Sequence, residues 1–192
     1  AGTFRPAGCT ACDTPERVRE LLAGPDGSVC LQAYNYLAPR FQAGKGGVAL
    51  AVRQGLGVAA TSPLLGGFLA DALPEEARTV FRETGDSRGP AAWALGWVWD
   101  DAAVAAAIVD MHSLRELEDN LRSADGVPPE GLTGEERETV RRARAALDAK
   151  KPVPCTECHG CGCPAGVEIP AVLAAYNAAH VFGEVPPDHA YG

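Results

Sequence analysis

The chain has 192 residues, 46% of them apolar and 22% charged, enough for one ordinary hydrophobic core without help from disulfides. A formal charge of −8, with no basic stripe carrying interleaved aromatics, repels phosphate backbones and argues against nucleic acid as a partner. No apolar run approaches the ~20 residues of a membrane span, no basic n-region with an apolar stretch follows Ala1, and the expected location is the cytoplasm.

In chain order, Thr14-Pro15-Glu16 reads as an N-cap, a first-turn proline and a first-turn acid, which predicts a helix over 14–23 with Val18, Leu21 and Leu22 on its apolar face. Val29 to Tyr34 reads as a strand. Gly46 to Gln54 reads as a helix closed by Gly55, and Leu56 to Thr61 as the next strand. Pro63, Gly66 and Gly67 mark a loop, followed by helices over Pro74 to Glu83 and Pro90 to Asp100, the second carrying Trp93, Trp97 and Trp99 as packing residues. Val104 to Val109 has the length of a buried strand. Ser113 then caps a helix through Leu114, Leu117 and Leu121, and Thr133-Gly134-Glu135-Glu136 has the capping-box form for a charged helix to Ala149.

Strands that alternate with helices imply a parallel α/β sheet with right-handed crossovers, either open and doubly wound or part of an eight-fold barrel. Four such strands make about half of a barrel, which typically needs ~250 residues. The only methionine is Met111, so the chain is expected to be trimmed or part of something longer.

Four of the seven cysteines fall in one compact run, Cys155, Cys158, Cys161 and Cys163, with Pro164 behind the last. A redox pair would use two of them, and structural zinc usually draws on two separated knuckles. The compact run with its following proline suits a [4Fe–4S] cluster held by thiolates, while zinc, or a remnant that binds nothing, stays open. Glu168-Ile169-Pro170 then opens a helix with Ile169, Val172, Leu173 and Tyr176 as its expected apolar face, its positive N-terminal end directed at the cluster. Cys9 and Cys30 sit in strand-like stretches and read as small buried hydrophobes, and a redox or metal role for Cys9 and Cys12 carries little weight. His112 reads as a polar loop residue and His159 as exposed.

The segment from Pro154 through the four cysteines to Pro170, with Tyr176-Asn177, resembles the C-terminal segment of ferredoxin-tailed aldo/keto reductases. Upstream, Leu31-Gln32-Ala33-Tyr34-Asn35-Tyr36 is similar to that family's sixth barrel strand, Ser62-Pro63-Leu64 with Gly66-Gly67 to its seventh, and Gly8-Cys9-Thr10 to its fifth. Trp93-Ala94-Leu95 with Trp97, then Met111-His112-Ser113 and Glu118-Asp119-Asn120, resemble the helix before the eighth strand and the loop after it. The resemblance implies the C-terminal half of a (β/α)8 TIM barrel, about strands 5–8, over residues 1–150, followed by a small helical iron–sulfur segment over 151–192.

By the same resemblance, Thr10 and Gln32 match positions that hold the nicotinamide amide, Thr61 and Ser62 match the end of strand seven, and Ser113 and Asn120 match the loop and helix that hold the adenosine phosphate and adenine. The implied activity is that of an NAD(P)-dependent oxidoreductase, electrons passing between the nicotinamide cofactor and a carbonyl substrate or a partner. Each residue also has a plain structural account: Gln32 satisfying a strand neighbour, Ser113 capping its helix, Asn120 solvated on it. The family's catalytic acid, tyrosine, lysine and histidine belong to strands one to four, so no catalytic residue is assigned here. Glu116 occupies a family position that often carries a cationic or amide side chain, and a carboxylate there disfavours a 2′-phosphate. The chain also departs from the family in the single Gly162 between the third and fourth cysteines and in having no second cysteine run. An open half-sheet leaves unpaired edges, so a homodimer, a complementing N-terminal half barrel or a redox partner is expected. The alternatives from other classes are a non-catalytic electron-transfer module and a zinc-stabilised structural domain.

Overall fold

The structure is a computed structural model that describes residues 9–10, 20, 28–39, 44–155 and 161–184. Of the helix expected over 14–23, Glu20 is the residue described, and it is helical and exposed. Four strands, β1 (Cys9–Thr10), β2 (Val29–Ala33), β3 (Gly57–Thr61) and β4 (Val104–Ala107), form one sheet in the order β1-β2-β3-β4, with every neighbouring pair parallel. Sequential order with parallel pairing is what repeated βα crossovers produce. Among the described residues the helices are α1 (Gly44–Arg53), α2 (Glu75–Arg82), α3 (Pro90–Trp99), α4 (Leu114–Gly126), α5 (Gly134–Asp148) and α6 (Ile169–Phe182).

The expected elements recur with ends moved by a residue or two. Helix α1 starts at Gly44, two residues before the expected Gly46. Gly44 has φ +42° and a Cβ there would collide with the Pro39 carbonyl, so only glycine fits the entry. Gly55 closes the helix at φ +76°, as its place in the sequence suggests. Thr133 and Glu136 form the full capping box of α5.

One face of the sheet is covered by helices. Cys30 and Tyr34 from β2 and the turn after it, Val58 and Ala60 from β3, and Val104 from β4 pack against Val48 and Ala51 of α1 and Val98 of α3. Helix α1 rests on both β2 and β3, the position a right-handed crossover dictates. A second cluster lies among the helices and the loop after β3: Leu65, Leu69, Phe81, Trp93, Leu147 and Val181 are among its buried members. Each large apolar side chain fully buried there stabilises the fold by about 1.5–3 kcal/mol.

Two expected faces differ from those observed. Leu114, Leu117 and Leu121 do line one side of α4, yet they are 79%, 37% and 57% exposed, and α4 buries no residue. On α6 the buried residues are Pro170, Ala175, Asn177, Ala178 and Val181, while Val172 and Tyr176 face outward. The rotation follows from Val181 and Phe182, which reach the second cluster, Phe182 edge-on to Phe68 at 5.2 Å.

Candidate functional site

The C-terminal ends of the strands form a rim, and four of the expected cofactor residues meet it. Register pairs Thr10 with Leu31, Gln32 with Ala60, and Ala33 with Thr61. Ser62 follows at φ +50°, a left-handed conformation that a non-glycine residue adopts only when its surroundings hold it. The holder is Asn35, only 4% exposed, whose Nδ2 donates to the Ser62 carbonyl at 3.3 Å while its Oδ1 accepts from the Ala38 amide at 3.0 Å. Asn35 thus ties the loop after β2 to the end of β3. Sequence reasoning assigned it no role, although an asparagine one turn past a strand is a familiar loop-closing signal.

The pleat separates residues that chain order groups together. Gln32 is completely buried and alternates with Cys30 and Tyr34, which pack toward the helices, so it stands on that side of the sheet. Its Nε2 donates to the Ala33 carbonyl at 3.3 Å. Thr61, one residue past Ala60, stands on the opposite side together with Leu31 and Ala33. Thr10 is placed through its backbone register alone.

Ser113 and Asn120 belong to α4. Ser113 is its N-cap: the hydroxyl oxygen accepts from the Glu116 amide at 3.2 Å and donates to Glu116 Oε1 at 2.9 Å. Glu116 Oε2 accepts from the His112 amide at 2.8 Å. The His112 amide first, and the Ser113 hydroxyl second, hold the Glu116 carboxyl below its ordinary value. The helix entry therefore has its own anion beside it. Asn120 lies two turns further on and is half-buried.

A shallow cavity of about 310 Å³, not anticipated from the sequence, opens beside Tyr34, Lys45, Trp97, Asp100, Asp101 and Arg137. Two of its carboxylates, Asp100 and Asp101, are already engaged. Arg137 donates twice to Asp100, at 2.7 and 2.8 Å, and Asp100 also accepts from the Leu132 amide at 3.0 Å. Asp101 accepts from the Tyr34 hydroxyl at 2.7 Å and from the Ala103 amide at 3.1 Å. Burial first, and the Asp101 bond second, push the Tyr34 phenol well above its ordinary value. This arrangement braces the turn before β4.

In the tail, Cys155 and Cys163 are half-buried and Cys161 is exposed. The Cys155 amide donates to the Val153 carbonyl at 2.8 Å, and Gly166, at φ +72°, donates to the Cys163 carbonyl at 3.0 Å to turn the chain toward α6. Asn177 of α6 makes both available backbone bonds to Val153, accepting at 3.0 Å and donating at 2.8 Å. That clamp fixes the entry to the cysteine run two residues before its first thiol. Among the described residues no three His, Cys, Asp or Glu side chains come together closely enough to hold a metal ion. Cys158 and His159 lie outside the described residues.

These features define a small parallel α/β sheet with polar side chains at its strand ends. Solved structures similar to it include two of one aldo-keto reductase. The holo form of the aldo-keto reductase AKR11C1 from Bacillus halodurans matches 71% of this chain at 21% identity with a TM-score of 0.55, and its apo form matches 68% at 20% identity with a TM-score of 0.52. The matched part is 49% of the holo chain and 48% of the apo chain, so this chain spans about half the length of those structures. No protein-family model and no curated protein matches the chain. The likeness is one of fold: an aldo-keto reductase architecture at partial coverage. Among the described residues no helix is long and apolar enough to cross a membrane.

Proposed function

We propose that the chain is part of an aldo/keto reductase-type oxidoreductase, one that holds a nicotinamide cofactor along the strand-end rim and carries a [4Fe–4S] cluster on its cysteine run. The observation that supports the first half is the fold: four sequential parallel strands similar to about half of an aldo-keto reductase, including one in a holo form. In parallel α/β barrels, ligands gather at the C-terminal ends of the strands. Thr10, Thr61 and Ser62 stand at that rim, while Ser113 and Asn120 lie on α4, the helix after the last described strand. Gln32, engaged on the helix side of the pleat, would contribute by bracing the rim.

The second half rests on the spacing and chemistry of the donors. Cys155, Cys158, Cys161 and Cys163 are soft sulfur ligands of the kind iron–sulfur clusters take, and the Asn177 clamp anchors the segment that carries them. A bound cluster would supply single-electron transfer. The carbonyl proton calls for a positioned acid, which the residues carried over from the family do not include.

Three measurements test the reading. Anaerobically purified protein is expected to hold iron and acid-labile sulfide and to give an EPR signal on reduction; zinc at one equivalent with no labile sulfide would refute the cluster. Calorimetric titration with NAD+ and NADP+ is expected to show binding that weakens in Thr61→Val. A carbonyl reductase rate for these 192 residues equal to that of a complete barrel would overturn the assignment of the proton donor to another segment.

A further inference from the structure

A polar side chain is retained inside a packed helix only where it is bonded, because an unbonded buried amide costs free energy and asparagine is a poor helix former. Asn177 is 5% exposed on α6, among the buried Ala175, Ala178 and Val181, and both its polar atoms go to one residue, Val153. The Val153 carbonyl accepts twice, from Asn177 Nδ2 at 2.8 Å and from the Cys155 amide at 2.8 Å. Between Val153 and Cys155 stands Pro154, whose ring fixes its own φ. With Val153 held at both backbone groups, Pro154 locked and the Cys155 amide tied back, few torsions remain free between α6 and the first thiol. The later thiols are held differently: Cys161 is exposed, and Cys163 has a local bond, its carbonyl accepting from Gly166.

We infer that Asn177 is a positioning residue for Cys155: it fixes the first thiol of the run against α6 before any metal arrives, and the later thiols close onto that fixed point. The inference deepens the proposed cluster reading and rests on it for the identity of the ligand alone. The anchor itself lies in the core, since Val181 and Phe182 of the same helix reach the second cluster. By linkage, a metal bound at Cys155 strengthens the hold of Asn177 on Val153 by the same factor as that hold strengthens the metal. Occupancy of the run is therefore felt in α6.

The test uses the full chain, first free of metal and then reconstituted anaerobically with iron and sulfide. In the metal-free chain, iodoacetamide is expected to alkylate Cys155 about tenfold or more slowly than Cys161. Asn177→Ala removes both bonds and keeps a strong helix former among the alanines of α6. It should raise the Cys155 rate by about tenfold and leave Cys161 and Cys163 within about twofold of the parent. Pro154→Gly, at an exposed position off the helix, should raise the Cys155 rate in the same selective way with α6 untouched. On reconstitution, the Val153 and Cys155 amides should exchange at least about fivefold more slowly, and the EPR signal of the reduced cluster should differ between parent and Asn177→Ala. A parent that takes up no iron would refute the cluster and leave the alkylation contrast to decide the role of Asn177. Unchanged Cys155 rates in both variants would overturn the inference, whatever the metal content. So would equal acceleration at Cys155, Cys161 and Cys163, which would make Asn177 a general support of the tail.

Discussion

Helices α4 and α5 are near neighbours in sequence and near equals in kind, with 13 and 15 residues, rich in charge, and each started by a hydroxyl side chain that accepts from the amide three residues on. Their fates differ. Helix α5 buries Thr139, Val140, Ala143 and Leu147 and reaches outward with ion pairs: Glu136 to Arg88, Arg142 to Glu83 at 2.7 Å, and Arg137 to Asp100 at 2.7 Å. The ion pairs described for α4, such as Arg115 with Asp119 and Arg122 with Glu118, stay within it and its entry turn, and it buries nothing. Local sequence is enough to form a helix; whether the helix contributes to the core depends on what lies across from it.

The contrast can be broken most directly in the core. Leu147→Ala, at a position with no exposure, should cost about 2–5 kcal/mol in urea unfolding, whereas Leu114→Ala on α4 should change stability by less than about 0.5 kcal/mol. Equal losses would show that α4 is buried in solution.

Asp100 comes next. Its carboxylate holds Arg137 and the Leu132 amide, and the Arg137 bond first lowers its affinity for protons. Asp100→Asn should cost on the order of 1–3 kcal/mol at neutral pH. Because the folded value lies below the unfolded one of about 3.9, the stabilisation is complete above that pH and is lost as pH falls through the lower folded value. Glu136, held low by the Thr133 amide first, follows the same sign. Acid titration of unfolding should therefore be steeper below about pH 4 for the parent chain than for Asp100→Asn.

The caps sharpen the comparison further. Thr133→Ala removes the capping box of a helix built into the core and should lower global stability by about 1 kcal/mol. Ser113→Ala should leave global unfolding unchanged and raise amide exchange only in the first turn of α4. The smallest effect belongs to Arg122→Ala, expected within about 0.5 kcal/mol of the parent, since an exposed intrahelical pair contributes little.

Much of the fold is legible in the sequence itself. The β2 and β3 segments announce themselves as short apolar runs between turn residues, Gly55 and Thr133 mark a helix end and a helix start, and Cys30 is the buried strand cysteine its setting implies. The tryptophans of α3 do pack: Trp93 stacks on Phe81 at 5.3 Å and Tyr34 meets Trp97 at 4.9 Å. The candidate site was less legible. Chain order sets Gln32 and Thr61 together at the rim, but the alternation of the pleat sends them to opposite sides, which depends on register. Asn35 sits where a loop-closing residue is expected, but its partner, the Ser62 carbonyl, lies 27 residues away, and no local pattern names it.

Composition and spacing determined the element types, their order, the caps and the clustering of four thiols, because each depends on a residue and its neighbours within a turn or two. Tertiary structure alone decided which apolar stripes are buried. Leu117 and Leu147 look equivalent in sequence, and they part company because burial is a property of the surface opposite, which for Leu147 is a packed cluster and for the leucine stripe of α4 is solvent.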